Sequence, residues 1–231
     1  MPVFRLGNEL IFPDPRWATA DGLLAVGGDL SPERLVLAYR LGIFPWYGED
    51  EPIMWWSPDP RCVLIPAHVY VSRRLERVIR QDRFRLTCDR AFAQVMQACA
   101  DVRISQGEET WLIADMQTAY QKLYELGFAH SVEAWYGDEL VGGLYGVALG
   151  KFFFGESMFH SRPNASKVIL AQLARHLHKE GFALLDCQVS NPHLIRMGAC
   201  HMAREDFLAC LTAGGLSAGA TPGKVLFPVL L

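Results

Sequence analysis

The stretch from Ala129 to Met158 constrains this chain more than any other. Ala129 to Tyr136 alternates in strand fashion, Gly137-Asp138 supplies a turn, and Leu140 to Leu149 and Lys151 to Met158 continue as two further strands. That spacing predicts an antiparallel meander. A helical run follows, with Val168, Leu170, Leu173, Ala174 and Leu177 on it and a stop at Gly181. Asn164 is expected to cap it. Phe182 to Val189 then reads as an apolar strand, ahead of a turn at Asn191-Pro192 and a short helix near His193 to Met197. Three strands, a helix, a strand and a helix make an α+β layer with its helices packed on the sheet.

The first sixty residues are dense in Gly, Pro and Trp and read as turns around one helix. Ser31 is placed to cap that helix, Pro32 suits its first position and Gly42 ends it, so a helix is expected over about 32 to 41. The runs Ile43 to Tyr47 and Trp55 to Arg61 carry prolines that no helix interior tolerates, which leaves stiff aromatic loops or edge strands. Val71 to Arg80 reads as a short helix, Asp89 is expected to cap another through Ala100, and a third ends at Gly127. A small N-terminal domain over 1–62 is expected ahead of a larger one over 63–231, with the division falling as late as about residue 100. Ala213 to Gly223 reads as a flexible Gly/Ala segment.

Composition removes several classes. With 51% of residues hydrophobic the chain can bury a core, and a net charge of -3 does not suit a general nucleic-acid coat. None of the six cysteines stands in a C-x-x-C pair, so zinc-ribbon and thioredoxin-type sites have no support. Met1 to Leu10 lacks a secretory pattern, which points to the cytoplasm and reduced thiols. Leu140 to Phe154 is interrupted by four glycines and Lys151, too broken to span a bilayer, so no membrane is expected. There is no H-E-x-x-H, P-loop, dinucleotide fingerprint or G-x-S-x-G elbow, and no metal is expected.

Four groups of residues could carry chemistry. Residues 62 to 90 hold seven arginines against three acids, a local charge of +4, and Arg73, Arg77 and Arg80, with Arg74 beside them, share a helix face suited to phosphates. A solvated helix face is the alternative. Trp46, Trp55, Trp56 and Trp111 stand where they can stack on bases or simply fill the core. Glu156, on a strand face with Phe154 and Met158, is expected to line an apolar surface, either as a pocket floor or in a structural hydrogen bond. Asp186 and Gln188 end the last apolar strand and by alternation point the same way, with Cys187 opposite. They offer an acceptor and a donor to a reacting amine and carbonyl, or a local cap for the next turn.

Together these strings resemble one family, the bacterial leucyl/phenylalanyl-tRNA-protein transferases. The matching runs include Gly22 to Pro32, Gly42 to Trp46, Trp55 to Arg61, Ala129 to Glu133, Val141 to Gly146, Gly155 to Phe159, Asn164 to Lys167 and Asp186 to Gln188. The resemblance implies transfer of Leu, Phe or Met from aminoacyl-tRNA to a protein beginning with Arg or Lys, marking it for N-degron degradation. It implies a C-terminal domain like that of the N-acetyltransferases (GNAT-like) and no cofactor. His160 to Asn164 stands where those relatives have a glycine-rich pyrophosphate loop, so coenzyme A is not expected as donor. On this resemblance Asp186 and Gln188 are expected to be catalytic, Asp186 polarising Gln188 and helping to orient or deprotonate the amine. Trp46, Trp111, Leu144, Phe154, Glu156, Met158 and Leu170 would hold the adenosine and aminoacyl group, and Arg73, Arg74, Arg77 and Arg80 the tRNA, with the protein a monomer. The rival readings are an acetyl-CoA-dependent N-acetyltransferase and a non-catalytic tRNA-binding protein.

Overall fold

A computed structural model describes residues 3–105 and 110–217. Two sheets succeed each other along the chain. The first has four short strands, β1 (Phe4–Leu6), β2 (Leu23–Gly27), β3 (Phe44–Pro45) and β4 (Met54–Trp56), in the order β1-β2-β4-β3. Helix α1 (Pro32–Arg40) follows β2, with Ser31 accepting a hydrogen bond from the Arg34 backbone and Leu35, Ala38 and Tyr39 buried. The first sixty residues are therefore a small sheet and a helix: the aromatic runs expected as loops or edge strands supply β3 and β4, while β1 and β2 stand where only turns were expected. Strands of two to five residues, broken by Gly and Pro, leave no alternation to read.

The second sheet has seven strands in the order β11-β5-β10-β9-β8-β7-β6. The strands are β5 (Arg61–Leu64), β6 (Arg85–Cys88), β7 (Ala129–Tyr136), β8 (Glu139–Leu149), β9 (Phe152–His160), β10 (Leu184–Gln188) and β11 (Cys200–Met202). The expected meander is β7-β8-β9, and the tight turns fall at the expected glycines, with Gly137 at φ +61° and Gly150 at φ +57°. Helix α5 (Ala165–Lys179) connects β9 to its parallel neighbour β10. The remaining helices are α2 (Arg73–Arg80), α3 (Phe92–Ser105), α4 (Ala114–Glu125), α6 (Pro192–Arg196) and α7 (Arg204–Ala213).

Adjacent glycines in β8 let helices close on both faces of this sheet. A Cβ on Gly142 would stand 2.9 Å from Ala165 of α5, and one on Gly143 would stand 2.7 Å from Val95 of α3. One apolar core joins the two sheets: Leu35, Tyr39, Ile43 and Trp55 are packed in the same cluster as Val95, Tyr120, Tyr145 and Phe154.

Two expected caps differ. Asp89, at φ +56°, does not cap α3; its carboxylate accepts from the Ser131 backbone at 2.8 Å and lies 2.8 Å from His130 Nδ1, tying the β6–α3 link to β7. Glu133 of β7 instead accepts from the Ala91 backbone ahead of α3. Asn164 does precede α5, but at φ +75° its side chain makes no capping bond. The Gly/Ala segment expected at 213–223 lies outside the described residues from 218 onward.

Candidate active site

Strands β9 and β10 pair in parallel only as far as Phe154 and Asp186. Beyond that pair they part, and the gap past their carboxyl ends is where sheets of this kind place ligands. A cavity of about 370 Å³ opens there, lined by Trp46, Trp111, Leu144, Glu156, Met158 and Leu170, with Cys187, Gln188, Asn191 and Leu194 on the β10–α6 side. Residues from six separate stretches of sequence thus converge on one site.

The register slips between Asp186 and Gln188 where β10 meets β5, and Gln188 takes φ +60°. A bulge of this kind re-aims side chains that plain alternation would place. Cys187 and Gln188 both line the cavity, while Asp186 is 1% exposed. The expectation that Asp186 and Gln188 point the same way is therefore wrong. Asp186 forms a bidentate pair with Arg61, with Nε to Oδ1 at 2.8 Å and Nη2 to Oδ2 at 2.7 Å. The Arg61 guanidinium also donates to the Gly42 carbonyl and sits between the rings of Phe44 and Phe207, at 4.7 and 4.8 Å. Asp186 reaches Gln188 only through the backbone, its Oδ1 accepting from the Gln188 N–H at 2.9 Å.

The Gln188 side chain belongs to a different network. Its Nε2 donates to Glu156 Oε1 at 2.9 Å, and Tyr120 donates its hydroxyl proton to Glu156 Oε2 at 2.8 Å. The Tyr39 hydroxyl meets that of Tyr120. Because Tyr120 has spent its only proton on Glu156, Tyr39 is the donor to Tyr120. Burial holds both phenols well above their usual range, so they remain donors. Burial also pushes Glu156 up to about 7, against the pull of the tyrosine hydrogen bonds. With Tyr120 donating to one Glu156 oxygen and Gln188 Nε2 to the other, the Gln188 amide nitrogen faces Glu156 and its carbonyl oxygen turns away from it.

Phe154 does not line the cavity. It is fully buried, with its ring 5.1 Å from that of Tyr39, because the β8–β9 register slips at Glu156 and breaks the alternation that would put Phe154 and Glu156 on one face. Trp46 is 47% exposed at the mouth, braced edge-on by Trp56 at 5.7 Å, and Trp111 lies buried edge-on to Tyr120.

Comparison with known proteins shows the family. The family model described as leucyl/phenylalanyl-tRNA protein transferase matches residues 63–212, and the model of that family's N-terminal domain matches 28–59. The chain belongs to this family. Proteins named leucyl/phenylalanyl-tRNA–protein transferase are 54% identical over 228 residues in Syntrophotalea carbinolica, covering 99% of each chain. The one from Syntrophobacter fumaroxidans is 58% identical over 91% of this chain and 90% of its own. Among solved structures, an aminoglycoside acetyltransferase from an uncultured soil metagenomic sample matches 65% of this chain and 98% of its own at 16% identity and a TM-score of 0.39.

The arginines read from the sequence stand away from this cavity, on α2. Leu75 buries the inner face of the helix, and Arg73, Arg77 and Arg80 line an open groove of about 730 Å³ together with Tyr70, Arg175 and His178. Arg74 is exposed outside the groove lining. Glu76 also lines it, paired with Arg175 at 2.6 Å. Tyr39, Tyr120 and Arg61 escaped the sequence reading. Only Arg61 carried a signal, as a charge leading into the apolar run Cys62-Val63-Leu64-Ile65, which demands a buried partner. No group of three or more His, Cys, Asp or Glu among the described residues is placed to hold a metal ion, and no described helix is long and apolar enough to cross a membrane.

Proposed function

We propose that this protein transfers Leu, Phe or Met from aminoacyl-tRNA to the α-amine of an acceptor protein beginning with Arg or Lys, marking the acceptor for degradation. The observation that carries the reading is the cavity itself. It is a largely apolar pocket with Trp46 exposed at its mouth, and Gln188 stands on its wall with its amide nitrogen turned to Glu156. Leu144, Met158 and Leu170 would receive the unbranched apolar side chain of the donor. Such a pocket separates side chains by only about 1 to 3 kcal/mol per methylene, so shape near the β-carbon sets much of the selectivity. Trp46 and Trp111 would flank the terminal adenosine, and Arg73, Arg77 and Arg80, with Arg74 beside them, would meet tRNA phosphates.

The reaction is aminolysis of an activated ester. The α-amine nitrogen bonds to the ester carbonyl carbon, the carbon–oxygen bond to the ribose breaks, and an amine proton passes to the leaving ribose oxygen. An α-amine has a pKa of roughly 7.7 to 8.0, so a useful fraction is already neutral and no covalent enzyme intermediate is needed. Gln188 would accept an N–H hydrogen bond from the amine and aim its lone pair. Asp186 acts as a positioning residue, holding the bulge that presents Gln188, because its two oxygens are committed to Arg61 and the Gln188 backbone. Orientation of this sort is a large source of rate. The reading takes a monomer as the working unit, in the cytoplasm where charged tRNA is found. The diagnostic product is a new Phe-Arg peptide bond made from Phe-tRNA and a peptide beginning with Arg; its absence would overturn the reading.

A further inference from the structure

A second group of basic side chains stands on three elements that also line the cavity, β9, α5 and α6. His160 ends β9 two residues past Met158 and so follows it on the same strand face. Lys167 stands one helical turn before Leu170 in the first turns of α5. His193 and Arg196 are one turn apart on α6, and Leu194 between them lines the cavity. The four are near neighbours: Lys167, Arg196 and His160 all stand close enough to act on His193, whose imidazole is held below its ordinary value first by burial and then by these neighbours. Among the described residues none of the four has an ion-pair partner, and the buried His193 Nε2 has no hydrogen-bond partner. Uncompensated like charges held together on a surface favour an anion between them.

This cluster is physically continuous with the arginine groove. Tyr70 lines that groove beside Arg73 and is 61% exposed, and its backbone N–H donates to the carbonyl of Met197, the residue that follows Arg196, at 2.8 Å. From α2 a basic and aromatic track therefore runs over Tyr70, along α6 and into the cavity. Alternating cations and an exposed ring suit a single strand, whose phosphates need charge and whose bases stack on any π-face.

We infer that Lys167, His193, Arg196 and His160 form a phosphate-binding rim for the single-stranded 3′ end of the aminoacyl-tRNA, with Tyr70 as a stacking platform between this rim and the α2 groove. The inference rests on the aminoacyl-tRNA reading above and adds the path the strand takes. It also gives the two substrates separate approaches, since a cationic acceptor N-terminus is repelled from this rim.

The test compares two donors, Phe-tRNA and phenylalanyl-adenosine, which carries the same ester and no phosphate. In the doubly substituted Lys167→Ala, Arg196→Ala protein, kcat/KM for Phe-tRNA should fall at least about tenfold at low salt, while that for phenylalanyl-adenosine should change less than about twofold. The plot of log(kcat/KM) against log[salt] should become shallower by about 1.4, since each cation on a single strand contributes roughly 0.7. Lys167→Arg in place of Lys167→Ala, with Arg196→Ala kept, should return about half of that loss, roughly 0.7. Tyr70→Ala should weaken use of Phe-tRNA without altering the slope, because it removes a ring and no charge. An unchanged salt slope in the double variant, or an equal loss with both donors, would overturn the inference. Failure of the unaltered protein to use either donor would instead overturn the transferase reading on which it rests.

Discussion

Asp186 and Gln188 stand two residues apart and are held by separate networks. Removing Asp186 leaves the Arg61 guanidinium buried and unpaired, so Asp186→Ala should cost about 3 to 5 kcal/mol of stability, read as a lowered melting temperature. Gln188→Ala removes one hydrogen bond at a cavity wall. It should change stability by only about 1 kcal/mol while lowering kcat/KM by about 10²-fold or more. Asp186→Asn separates positioning from proton transfer. The amide oxygen can still hold the Gln188 backbone, so transfer should persist within about tenfold; a loss of about 10³-fold with the fold intact would restore a general-base role. Glu156 gives a pH signature. Burial raises it to about 7, so its neutral form is favoured in the fold and its contribution to stability is fully present below the ordinary carboxylate range. That contribution is lost as pH rises through 7. Thermal melts should therefore show Glu156→Gln losing less stability than the unaltered protein between pH 5 and 8, and parallel curves would contradict the burial account.

At the scale of elements, the β10 bulge and the glycines of β8 decide where the site lies. Gly143→Val would drive a branched side chain into Val95 and Phe159, whose atoms already stand 2.7 and 2.8 Å from the position of a Cβ. Overpacking of this kind costs roughly 1 to 3 kcal/mol or more, and urea titration should show a lower midpoint. Because β8 carries Leu144 into the cavity, a shift of α3 should also reach the site. The meander was legible in the sequence because Gly137-Asp138 and Gly150 break it where turns must fall. Asp89 was misread because a residue that can cap a helix can equally tie a link to a neighbouring strand, and Ser131 and His130 compete for it through contacts forty residues distant. The bulge at Gln188 was not legible at all: it exists only because β5, distant in sequence, pairs with β10.

On the scale of the whole molecule, the net charge of -3 is a sum of unlike parts. The α2 groove and the rim at α5 and α6 gather cations on the side where an RNA strand would lie, and the rest of the chain carries the balancing acids. Most cavity residues were legible one by one: the family resemblance runs through the motifs of Trp46, Leu144, Glu156, Met158 and Gln188, while Trp111 and Leu170 were read beside them as an aromatic and an apolar position. Their supports were not, since Tyr39 and Tyr120 look like ordinary core positions until the fold brings them to Glu156. The same core that joins the two sheets carries this support, with Tyr39 from α1 and Tyr120 from α4 meeting under the cavity. Tyr120→Phe should therefore leave the fold in place and lower the transfer rate by loosening Glu156 and with it the orientation of Gln188. The measurement that bears most directly on the whole account is a transfer assay with Phe-tRNA carrying labelled Phe, the folded protein and two peptides that differ only in beginning with Arg or with an uncharged residue. The account predicts labelled Phe joined by a peptide bond to the Arg peptide alone; no labelled product, with the protein shown to be folded by its thermal melt, would contradict it.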